Sequence, residues 1–164
     1  MSKSLELKVR EPEPNEFDEI YLMGFDTWGD GAKLADYLEC CRNSPKYRHG
    51  QWFVLERNGD LVSSLLVHSF GDDVFGIGSI ATNPAQRNSG FASVLIERVL
   101  EYLQKHRGSR VTYLYSDINP KFYEGFGFVC LPSGLQKYST TTCMVRFAKE
   151  FQADLHKLKP PTYF

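Results

Sequence analysis

Residues 74–103, VFGIGSIATNPAQRNSGFASVLIERVLEYL, constrain the fold more than any other part of the chain. Apolar and small residues run to Asn83 and Pro84, a short polar turn follows, and from Gly90 the apolar residues recur at helical spacing. The pattern predicts strand, turn and helix. Within the turn, Arg87, Asn88, Ser89, Gly90, Phe91 and Ala92 offer a series of backbone N–H groups beside small side chains, where an anion can approach the main chain. The first turn of the helix adds its own unpaired N–H groups and the positive end of the macrodipole, which favours phosphate. A phosphorylated ligand is the expectation.

The 164 residues suit one domain, 1–164, long enough to bury a core without disulfides or metal. A formal charge of -1 gives no electrostatic case for nucleic acid or an anionic membrane. No stretch reaches the roughly 18 apolar residues of a membrane span, and the opening MSKSLELKVREPEPNE lacks the apolar core of a signal peptide. A cytoplasmic protein is expected. Cys40, Cys41, Cys130 and Cys143 form no CxxC pair, and His49, His68, His106 and His156 are scattered, so no metal site is expected.

Taken in order, Leu5, Leu7 and Val9 alternate with charged residues and predict a half-exposed strand that ends at EPEP. Asn15 is placed to cap a helix carrying Phe17, Ile20 and Tyr21 that stops near Gly29, Asp30 and Gly31. A second helix sets Leu34, Tyr37, Leu38 and Cys41 on one face and ends before Pro45. Extended runs on either side of Asn58 and Gly59 predict a hairpin, and Gly71, Asp72 and Asp73 make the next turn. After the central helix, residues 111–116 read as a strand, Asn119 and Pro120 open a short helix, and residues 127–131 and 141–147 supply two more extended pieces. The order β-α-α-β-β-β-α-β-α-β-β is a mixed α/β fold whose crossover helix joins two parallel strands. Residues 148–164 are a mildly amphipathic tail through Phe151, Leu155 and Leu158.

RNSGFA at residues 87–92 resembles the RxxGxG/A acyl-CoA signature of the GNAT superfamily of N-acetyltransferases. The TNP before it is similar to that family's strand-to-turn VxP, and FYEGFGF at residues 122–128 is similar to its second signature, YxxxGF. LYSD at residues 114–117 is similar to a lysine-acetylating branch known from yeasts. The resemblance spans residues 51–131 by motif and the two helices before them by topology. It implies a GNAT-like sheet splayed between the fourth and fifth strands, acetyl-CoA as cosubstrate and an amine acceptor, small molecule or peptide. A homodimer is left open.

By the same resemblance, backbone amides of Arg87, Asn88, Ser89, Gly90, Phe91, Ala92 and Ser93 hold the coenzyme A pyrophosphate, and the pantetheine arm runs along Ile80, Ala81 and Thr82. Gly76 and Gly78 suit a bulge, a close approach by another backbone, or packing under an aromatic ring. Tyr123 matches the family tyrosine that protonates the leaving thiolate, and a phenol of ordinary pKa, about 10, is a donor at neutral pH. The strand glutamate that serves many members as general base is absent, because the register from Arg87 puts Gly76 there. An alkylamine of pKa about 10.4 costs roughly 4 to 5 kcal/mol to neutralise at pH 7, so the gap matters. Asp72 or Asp73 acting through water, or Ser79 in a proton wire, are the alternatives.

For the acceptor, Asp30 could attract a cationic amine and Trp28 could stack on it, with residues 131–140 as a second specificity loop. No cysteine lies on the strand at the acyl position, which disfavours an acetyl-cysteine route. The expected activity is therefore an N-acetyltransferase working by direct attack in a ternary complex. The alternative is a coenzyme A-binding regulatory module without turnover.

Overall fold

In the computed structural model, which describes residues 6–164, the chain forms β1 (Leu7–Arg10), α1 (Phe17–Leu22), α2 (Phe25–Trp28), α3 (Leu34–Asn43), α4 (Pro45–His49), β2 (Gln51–Arg57), β3 (Asp60–Ser69), β4 (Val74–Thr82), α5 (Phe91–His106), β5 (Val111–Ser116), α6 (Lys121–Glu124), β6 (Val129–Cys130) and β7 (Thr142–Phe147). Leu5, expected in the first strand, lies outside the described residues. The strands are hydrogen-bonded in the order β1-β2-β3-β4-β5-β7-β6. β4 and β5 run parallel, as a crossover through α5 requires, while β1–β2, β2–β3, β5–β7 and β7–β6 are antiparallel. The mixed α/β sheet expected from the sequence is present. The chain clusters into two compact units, one holding the residues up to Val67 with Ser79–Val99, the other His68–Gly78 with Leu100–Phe164.

In the first unit, α1–α4 cover a core of Ile20, Tyr21, Met23, Tyr37, Cys41, Trp52, Val54, Leu61 and Leu66. Tyr21 stacks on Tyr47 at 5.6 Å, and Trp52 meets Tyr47 edge-on at 5.2 Å. Proline moves one helix boundary from where it was expected and starts one helix that was not expected. Pro14 opens a 3₁₀ turn ahead of α1, so the cap falls on Glu13, whose N–H donates to the Glu16 carboxylate at 2.8 Å; Asn15 lies inside the turn. α3 ends at Asn43, before Pro45 as expected, and Pro45 then opens a further helix, α4, whose Tyr47 N–H donates to the Ser44 hydroxyl at 3.4 Å. At the β2–β3 hairpin, Asn58 and Gly59 take φ of 51° and 94°, the left-handed pair that an Asn-Gly turn uses.

In the second unit, Phe151, Leu155, Leu158 and Phe164 pack against a core of Val111, Tyr113, Leu131, Cys143 and Val145. The tail is thus part of the packing. Residues 160–164 are tied down by side chains from β5 and from the loop before β7. The Tyr115 hydroxyl donates to the Pro161 carbonyl, Lys137 Nζ to the Pro160 carbonyl at 3.2 Å, and the Tyr163 N–H to the Tyr138 hydroxyl at 3.1 Å. The loop itself is clamped by Gln136, whose amide donates to the carbonyls of Leu131 and Cys143 and accepts the Cys143 N–H.

The last ring of this segment explains one glycine. A Cβ on Gly76 would lie 2.5 Å from Phe164 Cζ and 2.8 Å from Phe70 Cε2, whereas a Cβ on Gly78 would find its nearest neighbour at 3.6 Å. Gly76 is a packing glycine under aromatic rings. Gly76→Ala is therefore expected to destabilise by about 1 to 3 kcal/mol through overpacking, and Gly78→Ala by well under that. Urea midpoints of the two variants check this; equal shifts would show that the Phe164 ring is not seated on Gly76.

Candidate active site

The turn after β4 is built by backbone geometry. Asn83 Oδ1 accepts the Ala85 N–H at 3.1 Å, the Asn83 N–H donates to the Val62 carbonyl at 2.9 Å, and Pro84 begins a 3₁₀ turn that ends at Gln86. Asn88 and Gly90 then take left-handed φ of 64° and 79°. Such residues alternating with ordinary ones turn successive N–H groups toward one concavity, a nest for an anion. The first bond of α5 runs from the Val94 N–H to the Gly90 carbonyl, so the N–H groups of Phe91, Ala92 and Ser93 precede it and add to the same end. A Cβ on Gly90 would meet nothing within 4 Å. The space beside this main chain is open.

Arg87 is used differently from a phosphate-binding arginine. Its Nη1 and Nη2 pair with the two carboxylate oxygens of Asp26 at 2.5 and 2.8 Å, Nη2 also donates to the Met23 carbonyl, and Nε donates to the Thr82 carbonyl. The guanidinium holds the Asp26 carboxyl below its usual range, and the side chain pins the turn to α2 and to the end of β4. Sequence reasoning missed this pairing, which spans 61 positions and has no local signal.

Along β4, Ser79 has a φ of 48°, so the strand bulges there, not at the neighbouring glycines. Beyond the bulge, the Asn83 N–H points to β3; strand alternation then turns the N–H groups of Ile80 and Thr82 to the opposite edge, away from β3. Ala81 lies between them with its carbonyl accepting from Ser63 Oγ at 2.8 Å. Trp28 and Asp30 are both exposed: the indole folds back over Gly24, and Asp30 occupies a left-handed turn position at φ 48° beside Gly31.

In the second unit, the β4–β5 ladder pairs Val74 with Val111, Phe75 with Thr112 and Gly76 with Tyr113, and stops there although both strands continue. The splay expected between the fourth and fifth strands begins at Gly76. Tyr123 lies on α6, opened by Asn119 through its side chain on the Lys121 N–H at 3.0 Å. Its ring is buried and meets Phe122 and Phe128 edge-on at 5.0 and 6.3 Å. Burial first, and the negative Asp117 second, push its phenol up to about 12. It remains a proton donor at any physiological pH. Among the described residues, no group of three or more His, Cys, Asp or Glu side chains is placed to hold a metal ion.

Comparison with known proteins bears on the family and the fold. A family model described as the acetyltransferase (GNAT) family matches residues 15–128. Comparison with curated proteins gives no match. Among solved structures, an acetyltransferase from Streptococcus agalactiae is similar at 18% identity and a TM-score of 0.62, over 89% of this chain and 99% of that one. A spermidine N-acetyltransferase SpeG chimera from Vibrio cholerae and hSSAT is similar at 19% and 0.67, over 86% and 95%. N-acetylglutamate synthase from Neisseria gonorrhoeae, complexed with coenzyme A and N-acetyl-glutamate, is similar at 15% and 0.67, over 88% of this chain and 36% of that one. At these identities the likeness is one of fold.

Proposed function

The chain belongs to the acetyltransferase (GNAT) family, and on that premise we propose that it transfers the acetyl group of acetyl-CoA to a primary amine, by direct attack within a ternary complex. The observation that carries this reading is the nest at Asn88 and Gly90, opening onto the first turn of α5 with free space beside Gly90. Such a seat suits a pyrophosphate. Acetyl-CoA supplies an activated thioester. The chain's own residues do the rest: amides from Arg87 through Ser93 hold the pyrophosphate, the outward N–H groups of Ile80 and Thr82 take the pantetheine amides, and Tyr123 gives a proton to the leaving sulfur. Trp28 and Asp30 are assigned to the approach of the amine.

No helix among the described residues is long and apolar enough to cross a membrane. We assign the reaction to the cytoplasm. The test is release of free thiol from acetyl-CoA over L-lysine, spermidine, ethanolamine and a peptide N-terminus, across the range of about pH 6 to 10 in which these amines lose their protons. Release with at least one amine is expected. Tight acetyl-CoA binding with no release from any of them would make the chain a coenzyme A-binding module instead.

A further inference from the structure

The β3–β4 hairpin closes with the Phe70 N–H donating to the Val74 carbonyl at 2.9 Å. Counting back along that antiparallel pair sets His68 opposite Gly76, both on the same face of the strands. The rings agree with this register. Phe164 Cζ lies 2.5 Å from the Cβ position of Gly76, and the Phe164 ring centroid is 5.0 Å from that of the His68 imidazole. Phe70 lies nearly parallel to the imidazole at 6.1 Å and 17°. The ladder between β4 and β5 ends at Gly76, so the imidazole stands beside the point where the two main chains part.

From this placement we infer that His68 is the base that takes the proton of the attacking amine, a reading that rests on the transferase function proposed above. The other sources of a base are placed less well. Gly76 has no side chain, and the tip of Phe164 fills the volume that one would take. Asp73 sits at the closed end of the strand pair, where its carbonyl accepts the N–H groups of Arg110 and Val111 and its carboxylate lies 3.7 Å from Arg110 Nε. Asp72 is one position farther round the same turn. Ser79 is the left-handed residue of the bulge, beyond the last β4–β5 pair.

An imidazole, with an ordinary pKa of about 6.5, is largely neutral at pH 7 and accepts a proton readily. The rings of Phe70 and Phe164 pack against the imidazole, and Phe164 also brings a main-chain oxygen to 3.7 Å from the Cβ position of Gly78. Tyr115 is edge-on to Phe164 at 5.5 Å; it donates to the Pro161 carbonyl, and burial keeps its phenol protonated. The negative side chains on this hairpin are Asp60, at the far end of β3, and Asp72 and Asp73 in its turn.

In the step, the ammonium acceptor gives one proton to a neutral ring nitrogen of His68. The freed lone pair forms the N–C bond to the thioester carbonyl carbon, the C–S bond breaks, and its electron pair leaves with the sulfur. The sulfur takes the Tyr123 proton, the phenolate recovers the second proton of the nitrogen, and His68 releases the first to solvent. Amide, thiol and one net proton are the products.

The experiment compares parent and His68→Gln by kcat/KM between about pH 5.5 and 9, with the fastest amine of the panel above. The parent is expected to climb tenfold per pH unit, bend where the imidazole loses its proton and level off. In His68→Gln the value at pH 7 falls by about 10² to 10⁴-fold, and the bend disappears. The rate then climbs toward the pKa of the amine itself, while acetyl-CoA affinity by calorimetry is unchanged; His68→Asn serves if the glutamine variant does not fold. A second readout does not depend on turnover: the His68 ring-proton resonance, identified by its loss in the variant, shifts when the same amine is added to the protein with coenzyme A. A bend that survives in both variants, or a ring resonance indifferent to the amine, overturns the assignment. An active parent with an unchanged variant profile removes His68 alone, whereas a parent that binds acetyl-CoA and acetylates nothing removes the transferase reading and this one with it.

Discussion

Replacing Gly90 with glutamate is expected to abolish acetyl-CoA binding while leaving the chain folded. The position tolerates a side chain sterically, since nothing lies within 4 Å of its Cβ direction, so the protein itself has no clash to resolve. The φ of 79° imposes a strain of about 1 kcal/mol or somewhat more on any residue with a Cβ. The larger effect is on the ligand: a carboxylate placed in the nest puts bulk and like charge where the proposed function seats the pyrophosphate. A loss of at least about 100-fold in affinity, about 2.7 kcal/mol, is expected by calorimetry. Gly90→Ala carries the same backbone strain without the charge and should lose much less. Unchanged affinity in Gly90→Glu would remove the pyrophosphate from this turn.

Legibility of the site from sequence followed how local its causes are. The turn of residues 87–92 could be read because its left-handed positions fall on Asn88 and Gly90, residue types that adopt that conformation at low cost. The same is true of Asn58 and Gly59. The bulge of β4 was not readable, since Ser79 takes a left-handed φ that its side chain does not advertise, and the two nearby glycines drew the expectation instead. Pro45 carried two local signals, of which only one was read: α3 stops before it, and α4 starts on it with Ser44 as the cap.

What remained hidden depends on residues far apart in the chain. Arg87 was read as the leading residue of a phosphate signature, yet its guanidinium is committed to Asp26, Met23 and Thr82. The insertion of β7 between β5 and β6 has no counterpart in any local pattern. Residues 160–164 looked like a tail of unassigned role. Their bonds to Tyr115, Lys137 and Tyr138 and the seat of Phe164 on Gly76 span from 23 positions upward, beyond what periodicity can report. The absence of a glutamate at Gly76 was visible in the sequence; that an aromatic ring fills the space, with an imidazole beside it, was not.

Tyr123→Phe is expected to lower kcat by about 10² to 10⁴-fold and to leave acetyl-CoA affinity unchanged, because a general acid is felt only as charge develops on the sulfur. The substitution keeps the ring and its edge-on contacts with Phe122 and Phe128 and removes only the hydroxyl. The direction of the pKa shift bears on how this acid works. A phenol pushed up to about 12 holds its proton more tightly than the thiol it would form, whose ordinary pKa is about 8.5. Transfer to a free thiolate taken alone would be uphill by roughly 5 kcal/mol. It becomes favourable when coupled to the loss of the second amine proton, which a newly formed N-protonated amide gives up readily. On the proposed function, burial would make Tyr123 a donor whose proton moves only as the C–N bond forms, and no loss of this acid should appear in the pH profile below about pH 11. Measured kcat and acetyl-CoA affinity for the parent and Tyr123→Phe decide the matter: a rate equal to the parent's would return Tyr123 to the packing between Phe122 and Phe128, and a parallel loss of affinity would make it a binding group.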